Sequence, residues 1–253
     1  MDCLYIVFNH TLADINQYKE YAIGYHMGDS MYYSQCGEDE YLNTNYFKNH
    51  RGGTFLEMGA LDGITYSNTK FFEDTLGWTG VLIEPHPVQF QNLTQTRPNC
   101  HLFNTLVSDM TAELKFKYFL YGLSPVSGVE STLPESHFKV WFQSDNPLYK
   151  NLPQSEVMIK PRTLTSIVKE SGVPYIDFFS LDVEGHELNV LKSFDFSIPV
   201  YLLLIECLDK YSPNEIEISD ILKKNGFILV DNVAHNNIWL NERESLRRGS
   251  SHF

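Results

Sequence analysis

Short apolar runs alternate with amphipathic stretches along most of the chain, from about residue 54 onward. The runs are rich in Val, Ile, Leu and Phe and are bounded by Gly, Pro or Asp, which is typical of buried strands. We predict strands at Thr54–Met58, Gly80–Glu84, His101–Val107, Ala112–Phe119, Ile176–Val183, Val200–Cys207, Phe227–Val230 and Ile238–Leu240.

The amphipathic stretches between these runs have the length and periodicity of helices. Strands that alternate with helices form right-handed βαβ units, and such units build a parallel sheet. The pattern therefore predicts a doubly wound α/β protein. The predicted helices of this part are Asn68–Leu76, Val88–Thr96, His186–Phe194 and Asn214–Asn225.

Two segments interrupt this alternation. Residues 1–50 are polar and aromatic and form a predicted helical lead-in, with helices at Ala13–Ala22 and Glu38–Asn49, before a main domain over residues 51–253. Within that domain, a segment at about residues 120–156 is rich in Ser, Pro, Gly and aromatic residues. An insertion of this length is either a lid or substrate loop near the site, or a mobile surface loop without function.

Composition and charge narrow the range of partners. The chain has 253 residues, is 43% hydrophobic and carries a formal net charge of −13. Such an acidic protein repels phosphate backbones, so we expect no nucleic-acid partner. No apolar run is long enough to span a membrane, and the start lacks a basic signal-peptide region. The four cysteines show no CxxC spacing, so we expect reduced thiols and a cytoplasmic location.

Ionisable and glycine residues follow the predicted strands at the edge where α/β proteins bind ligands. Gly59 and Gly63 follow the first strand, but they lack the middle glycine of a dinucleotide fingerprint. Glu84 ends the second strand, where it either accepts the hydroxyls of a ribose or stabilises the next helix through its dipole. Asp109, after the third strand, is placed to receive an adenine amine. Together they predict a nucleoside pocket without a phosphate site.

The densest ionisable cluster follows the fourth of these parallel strands. Asp182, Glu184, His186 and Glu187 lie within six residues, and Glu206 ends the next strand. Crowded carboxylates raise one another's pKa values, which suits a general base. Alternatively, Glu184 and Glu187 only cap the following helix.

Three stretches of this sequence resemble the FkbM family of S-adenosylmethionine-dependent methyltransferases. The first two are Phe55–Thr69, continued at Gly77–Pro85, and Ile176–Glu187; the third is the lead-in Ser34–Asp39. The resemblance implies a class I methyltransferase fold, with a Rossmann-like sheet of seven strands, helices on both faces and an antiparallel last strand.

The resemblance also implies roles for individual residues around S-adenosylmethionine. Glu84 would bind the ribose, and Ser108 and Asp109 the adenine. Ser67 and Asn68 would open a helix near the cofactor carboxylate, where N–H groups favour an anion. The other residues implied at the cofactor are Gln35 in the lead-in and, at the methionine end, Glu57, Gly59, Asp62 and Gly63.

For the chemistry, we expect an O-methyltransferase that acts on a sugar, nucleotide sugar or glycan. Glu184 and His186 are the candidate bases, and Asp182 and Glu206 are expected to hold the acceptor. Alternatively, Asp182 and Glu206 would bind Mg²⁺, which would lower the pKa of the acceptor hydroxyl.

Aromatic residues around the insertion could provide flat faces for a sugar ring, or they could only anchor the segment. They are Tyr118, Tyr121, Phe138, Trp141, Phe142 and Tyr149.

Two other functional classes stay open at this point. A non-catalytic binding or trafficking protein could keep the fold and lose the chemistry. A nucleotide-sugar oxidoreductase would share the sheet, although the phosphate turn that it needs is missing.

Overall fold

The structure is a computed structural model that describes residues 31–120, 122–145, 147–207 and 212–244. The predicted helix Ala13–Ala22 lies outside these residues. The helices are α1 Glu38–Leu42, α2 Lys70–Leu76, α3 Pro87–Thr96, α4 Glu135–Trp141, α5 Pro147–Lys150, α6 Leu164–Ser171, α7 Glu187–Lys192 and α8 Pro213–Lys224. The strands are β1 Thr54–Met58, β2 Thr79–Ile83, β3 His101–Phe103, β4 Leu114–Phe119, β5 Gly128–Val129, β6 Gln154–Ile159, β7 Ile176–Leu181, β8 Val200–Glu206, β9 Phe227–Val233 and β10 Asn236–Asn241.

Seven strands form the main sheet, in the order β3-β2-β1-β7-β8-β10-β9. Strands β3, β2, β1, β7 and β8 pair in parallel, whereas β10 is antiparallel to both of its neighbours. The predicted seven-stranded sheet with an antiparallel last strand is therefore confirmed. Because the strand order reverses between β1 and β7, a crevice opens at their carboxyl ends.

Both faces of the sheet are buried under helices, as predicted. Side chains alternate along β1, so Leu56 and Met58 contact one helical layer and Phe55 contacts the other. Burying each such side chain contributes about 1.5–3 kcal/mol. One layer contributes Leu164, Ile167, Val168, Val190, Leu191, Ile218 and Leu222, and the other contributes Leu42, Phe47, Phe71, Phe72, Leu76 and Leu93.

Strand β3 is shorter than predicted, which moves the residues expected at its tip. It ends at Phe103, whose carbonyl accepts the Glu84 N–H at 3.0 Å. The Asn104 amide then donates to the Glu84 carbonyl at 2.7 Å, and the chain leaves the sheet edge. Val107 forms an isolated bridge with Arg162 instead. The predicted strand His101–Val107 is thus wrong beyond Phe103.

The helix predicted at Glu38–Asn49 also changes form along its length. Its α-helical part ends at Leu42, and a π-helical turn follows over Asn43–Phe47. Lys48 and Asn49 then adopt positive φ angles, which end the helix.

A second, three-stranded antiparallel sheet stands beside the main one, in the order β5-β4-β6. Neither β6 nor α6 was predicted from the sequence. Strand β6 alternates exposed and half-buried positions and has no continuous apolar run. The segment at 120–156 contains a 3₁₀ turn at Ser124–Val126, strand β5 and helices α4 and α5. The domain boundaries proposed from the sequence stay a prediction.

The sequence predicted no membrane span and reduced thiols, and the structure bears on both. Across the described ranges, none of the helices combines the length and apolar character needed to cross a membrane. Cys36 is disulfide-bonded, whereas Cys100 and Cys207 are in the thiol form. The expectation of reduced thiols is therefore wrong for Cys36, and the cytoplasmic location stays a prediction.

Candidate functional site

One cavity opens at the carboxyl ends of β1, β2, β7 and β8, at the crevice where the strand order reverses. The sequence predicted many of its walls, because parallel strands bring their carboxyl ends to the same edge. The predicted site residues that line it are Gln35, Glu57, Gly59, Asn68, Glu84, Asp182, Glu184, His186 and Glu206.

Five predicted cofactor residues are not part of this lining. Asp62 accepts the N–H groups of Ile64 and Thr65 at 2.9 and 2.7 Å, so its carboxylate shapes the turn after β1. Asp109 is exposed and accepts the Asn189 amide at 2.9 Å. Because β3 ends early, the chain that follows it lines the cavity with Thr105, Leu106 and Val107. The residues outside the lining are Asp62, Gly63, Ser67, Ser108 and Asp109, whose cofactor roles stay predictions that this placement does not support.

Gly59 lets β1 and β7 end side by side. Its φ angle is +76°, and an added Cβ would lie 2.1 Å from the Asp182 carbonyl oxygen. Only glycine combines this backbone conformation with so close an approach. Gly63, at φ +80°, instead packs against Arg97 and Leu93, where a Cβ would come within 2.6 Å of each side chain.

Glu57 organises the turn that leads into α2. Its buried carboxylate accepts the Asn68 N–H at 2.8 Å, the Ser67 hydroxyl at 2.9 Å and the Thr69 hydroxyl at 2.6 Å. Burial raises the pKa of Glu57, although the nearby Arg97 guanidinium favours the charged form. Glu57 therefore holds the wall that Asn68 presents to the cavity.

Arg97 is the residue of this region that sequence reasoning missed. Its side chain is fully buried and donates to the Gly63 carbonyl and the Thr69 hydroxyl, each at 3.0 Å. It also pairs with Glu73, and its Nη1 lies 3.8 Å from Glu57. A single arginine at the end of a helix carries no motif, so no signal in the sequence could have identified it.

Glu84 is buried at the tip of β2, with two backbone donors already in place. The Leu61 N–H reaches Oε2 at 2.8 Å, and the His86 N–H reaches Oε1 at 2.7 Å. Burial raises the pKa of Glu84 to about 7, while the two N–H groups favour the charged form. Each oxygen keeps acceptor capacity for a further donor.

A cluster of three carboxylates lies across Gly59 from Glu84, at the ends of β7 and β8. Oxygens of Asp182, Glu184 and Glu206 lie within 4.8 Å of one another. Burial raises the pKa of Asp182 to about 6, and burial together with the neighbouring carboxylates raises the pKa values of Glu184 and Glu206. No Lys or Arg occurs among the described residues of the cavity wall. This wall therefore favours hydroxyl donors and cations over anions.

His186 is a weaker candidate for the base than the sequence suggested. Its imidazole is buried, and its Nδ1 lies 3.0 Å from the Thr132 hydroxyl. Burial lowers the pKa of His186 to about 4, so the ring is neutral and weakly basic at neutral pH. Its Nε2 is buried and, within the described residues, has no hydrogen-bond partner.

The 120–156 segment closes the cavity on the side of the three carboxylates. Phe142 stacks on Phe119 and Phe138, with ring centroids 4.9 and 5.5 Å apart, so these aromatics anchor the segment. Trp141 and His137, one turn apart on α4, line the cavity with residues 124–129. His137 was not predicted, since a lone histidine in an irregular stretch carries no signal of its own.

Comparison with known proteins identifies one family. Residues 57–229 match the model of the methyltransferase FkbM domain, which confirms the resemblance noted in the sequence. A search of curated protein sequences finds no match.

Solved structures with a similar fold include an Aeropyrum pernix fibrillarin with bound S-adenosyl-L-methionine, at 11% identity and TM-score 0.42, over 81% of this chain and 72% of that one. A TehB-like SAM-dependent methyltransferase from Corynebacterium glutamicum is similar at 10% identity and TM-score 0.43, over 90% and 97% of the two chains. A Methanococcus jannaschii fibrillarin is similar at 15% identity and TM-score 0.37, over 77% and 68%.

Proposed function

The chain belongs to the FkbM methyltransferase family, and we propose that it O-methylates a hydroxyl of an uncharged sugar or glycan. Dependence on S-adenosylmethionine follows from the family, whereas the oxygen acceptor and the sugar are our proposal. The observation that carries the proposal is the cluster of Asp182, Glu184 and Glu206 beside the Gly59 crevice, in a wall without Lys or Arg among the described residues.

The residues on the Glu84 side of the cavity suit S-adenosylmethionine. Glu84 can accept ribose hydroxyls beside its two backbone donors, and Gly59 has no side chain to fill the space at the crevice. Asn68 and Gln35 line the same cavity and offer amide groups to the polar end of the ligand. When bound, the cofactor supplies a methyl group on a positively charged sulfonium, a charge that the acidic wall favours.

On the acceptor side, the protein must orient a hydroxyl and take its proton. Asp182 and Glu206 accept hydrogen bonds from sugar hydroxyls, and Glu184 takes the proton of the reacting hydroxyl. The bound cofactor would supply its methyl group to the acceptor oxygen and leave as S-adenosylhomocysteine, and the proton of the hydroxyl would end on the Glu184 carboxylate. Orientation of this kind can lower a barrier by about 7–11 kcal/mol, and a positioned base adds about 10²–10⁴-fold.

The negative charge of the wall also favours some of the predicted methyl acceptors over others. A nucleotide sugar or a nucleic acid would bring phosphates against carboxylates, so a neutral sugar or glycan is the better fit. In the mechanism proposed here Asp182 and Glu206 hold the acceptor through hydrogen bonds, so it needs no Mg²⁺ at these two residues.

The test offers S-adenosylmethionine with a radiolabelled methyl group to separate carbohydrate, RNA and protein fractions, with and without a chelator of divalent metals. We expect label in carbohydrate, unchanged by the chelator. Glu184→Gln should lower the labelling rate by about 10²–10⁴-fold and bind S-adenosylhomocysteine like the wild type. Glu84→Ala should weaken that binding by about 1.5–3 kcal/mol per lost hydrogen bond.

Label in RNA or protein alone would contradict the sugar proposal and leave methyl transfer intact. Chelator-sensitive labelling would restore the Mg²⁺ alternative. To address the non-catalytic and oxidoreductase alternatives, thermal unfolding is followed with S-adenosylhomocysteine and with NAD. A ligand at 100 times its Kd stabilises by about 2.7 kcal/mol, and we expect this from S-adenosylhomocysteine alone.

A further inference from the structure

We propose that His137, contributed by the 120–156 segment, is a positioning residue that holds the Glu184 carboxylate in place for proton transfer. The proposal rests on the proposed role of Glu184 as the base. It assigns to this segment a part in the reaction, beyond covering the acceptor side of the cavity.

His137 and Glu184 lie against each other at the cavity wall. The His137 Nδ1 is 3.3 Å from the Glu184 Oε2, and the two side chains are only 8% and 16% exposed. On its other edge, the His137 Nε2 lies 2.9 Å from the Val126 carbonyl oxygen. The imidazole is therefore held from both sides, by the backbone of its own segment and by the carboxylate.

The group next to each ring nitrogen determines where the protons lie: Nε2 has a hydrogen-bond partner in the Val126 carbonyl, and Nδ1 has the Glu184 carboxylate at 3.3 Å. A carbonyl oxygen only accepts, so Nε2 must carry a hydrogen. In a neutral imidazole Nδ1 then has a lone pair, and an ionised carboxylate offers only lone pairs as well. A hydrogen bond between Nδ1 and Oε2 thus requires one shared proton between them.

The backbone around Glu184 is shaped to meet the inserted segment. Glu184 has a φ angle of 56°, and Gly185 has one of 95°. A Cβ on Gly185 would lie 2.7 Å from the Thr132 carbonyl oxygen and 2.9 Å from the Pro134 Cδ. Since α4 begins directly after Pro134, this contact fixes the start of the helix that carries His137.

This arrangement gives a balanced path for the acceptor proton. As the acceptor oxygen bonds to the methyl carbon, its proton passes to Oε1 of Glu184. The proton shared between Oε2 and Nδ1 moves fully onto Nδ1, which leaves a neutral carboxylic acid beside an imidazolium. No reagent beyond the acceptor and the methyl donor is required.

A double-mutant cycle tests the coupling between the two side chains. His137→Phe keeps a planar ring and removes both nitrogens; it is combined with Glu184→Gln and compared with Lys139→Ala, an exposed change on the same helix. We expect His137→Phe to lower kcat for carbohydrate labelling about 10-fold or more, with the Kd for S-adenosylhomocysteine within about twofold of wild type. In the Glu184→Gln background, His137→Phe should have no further effect on kcat, and Lys139→Ala should have no effect in either background.

Equal rate losses in both backgrounds, or a lost cofactor affinity, would show a purely structural role of His137 and overturn the proposal.

Nitrogen NMR of histidine-labelled protein gives a readout that needs no acceptor. Saturated with S-adenosylhomocysteine, His137 should carry its hydrogen on Nε2 and show a hydrogen-bonded Nδ1. Its Nδ1 resonance should shift on Glu184→Gln and stay unchanged on Lys139→Ala. A hydrogen on Nδ1 with a bare Nε2, or a resonance insensitive to Glu184→Gln, would refute the pairing, even if carbohydrate labelling fails and Glu184 proves not to be the base.

Discussion

At the scale of single residues, the ionisable groups around the cavity have two separate roles in this protein. Arg97 and Glu57 pair with each other and with the turn that precedes α2, so they support one wall of the cavity. Glu84 and the three clustered carboxylates face the cavity with unused acceptor capacity. The two groups respond differently to substitution and to pH.

The raised pKa of Glu84 predicts that cofactor affinity increases with pH. Ribose hydroxyls favour the ionised carboxylate, and below its pKa of about 7 binding must first release a proton. Between about pH 8 and about pH 6, the affinity for S-adenosylhomocysteine should fall, approaching tenfold per pH unit at the acidic end. Calorimetry across this range measures it.

Glu84→Gln serves as the matched control, since it removes the titrating group and keeps the side-chain length. We expect weaker binding with a flatter pH profile. Asp182 and Glu187 also have raised pKa values of about 6 and about 7, and both are present in the variant. An identical slope in the two proteins would therefore assign the pH dependence to those groups and not to Glu84.

Arg97→Met should destabilise the protein strongly, because it leaves the buried Glu57 and the half-buried Glu73 without their cation. Breaking a buried pair costs about 3–5 kcal/mol. Arg162→Met, which removes a surface pair with Glu170, should cost about 1 kcal/mol or less. Urea unfolding of both variants makes the comparison, and equal losses would show that Arg97 has no special structural role.

At the scale of elements, the approach of β1 to β7 determines where the cavity lies. Gly59 and Gly77 are a matched pair of glycines for testing this, with φ angles of +76° and +69°. A Cβ at Gly59 would strike the Asp182 backbone, whereas one at Gly77 would meet nothing within 4 Å.

Gly77→Ala should cost only the left-handed backbone strain, about 1–2 kcal/mol. Gly59→Ala should cost about 1–3 kcal/mol more, because β7 must move away, and it should also weaken binding of S-adenosylhomocysteine. Urea unfolding and calorimetry check both effects. Similar losses in the two variants would mean that the contact between the strand ends is easily relieved.

At the scale of the whole molecule, the order of the elements brings distant carboxylates together. Glu57, Glu84, Asp182 and Glu206 lie at the carboxyl ends of four neighbouring parallel strands, and all four line one cavity. The chain has a net charge of −13, and the described wall of the cavity is acidic too, with no Lys or Arg. The proposed neutral acceptor and the cationic cofactor both suit this field.

The sequence by itself determined the alternation of strands and helices, the seven-stranded sheet and the family. Hydrophobic periodicity is local, and the residue after a buried parallel strand is known from the strand alone, so Glu84 and Asp182 could be placed at the cavity in advance. Only the tertiary structure decided that β3 stops at Phe103, that Arg97 supports the turn before α2 and that His137 meets Glu184. Each of these features depends on residues that lie far apart in the chain. Packing in the folded protein selects which long side chains and which parts of the irregular segment come together, and no local sequence pattern shows that choice.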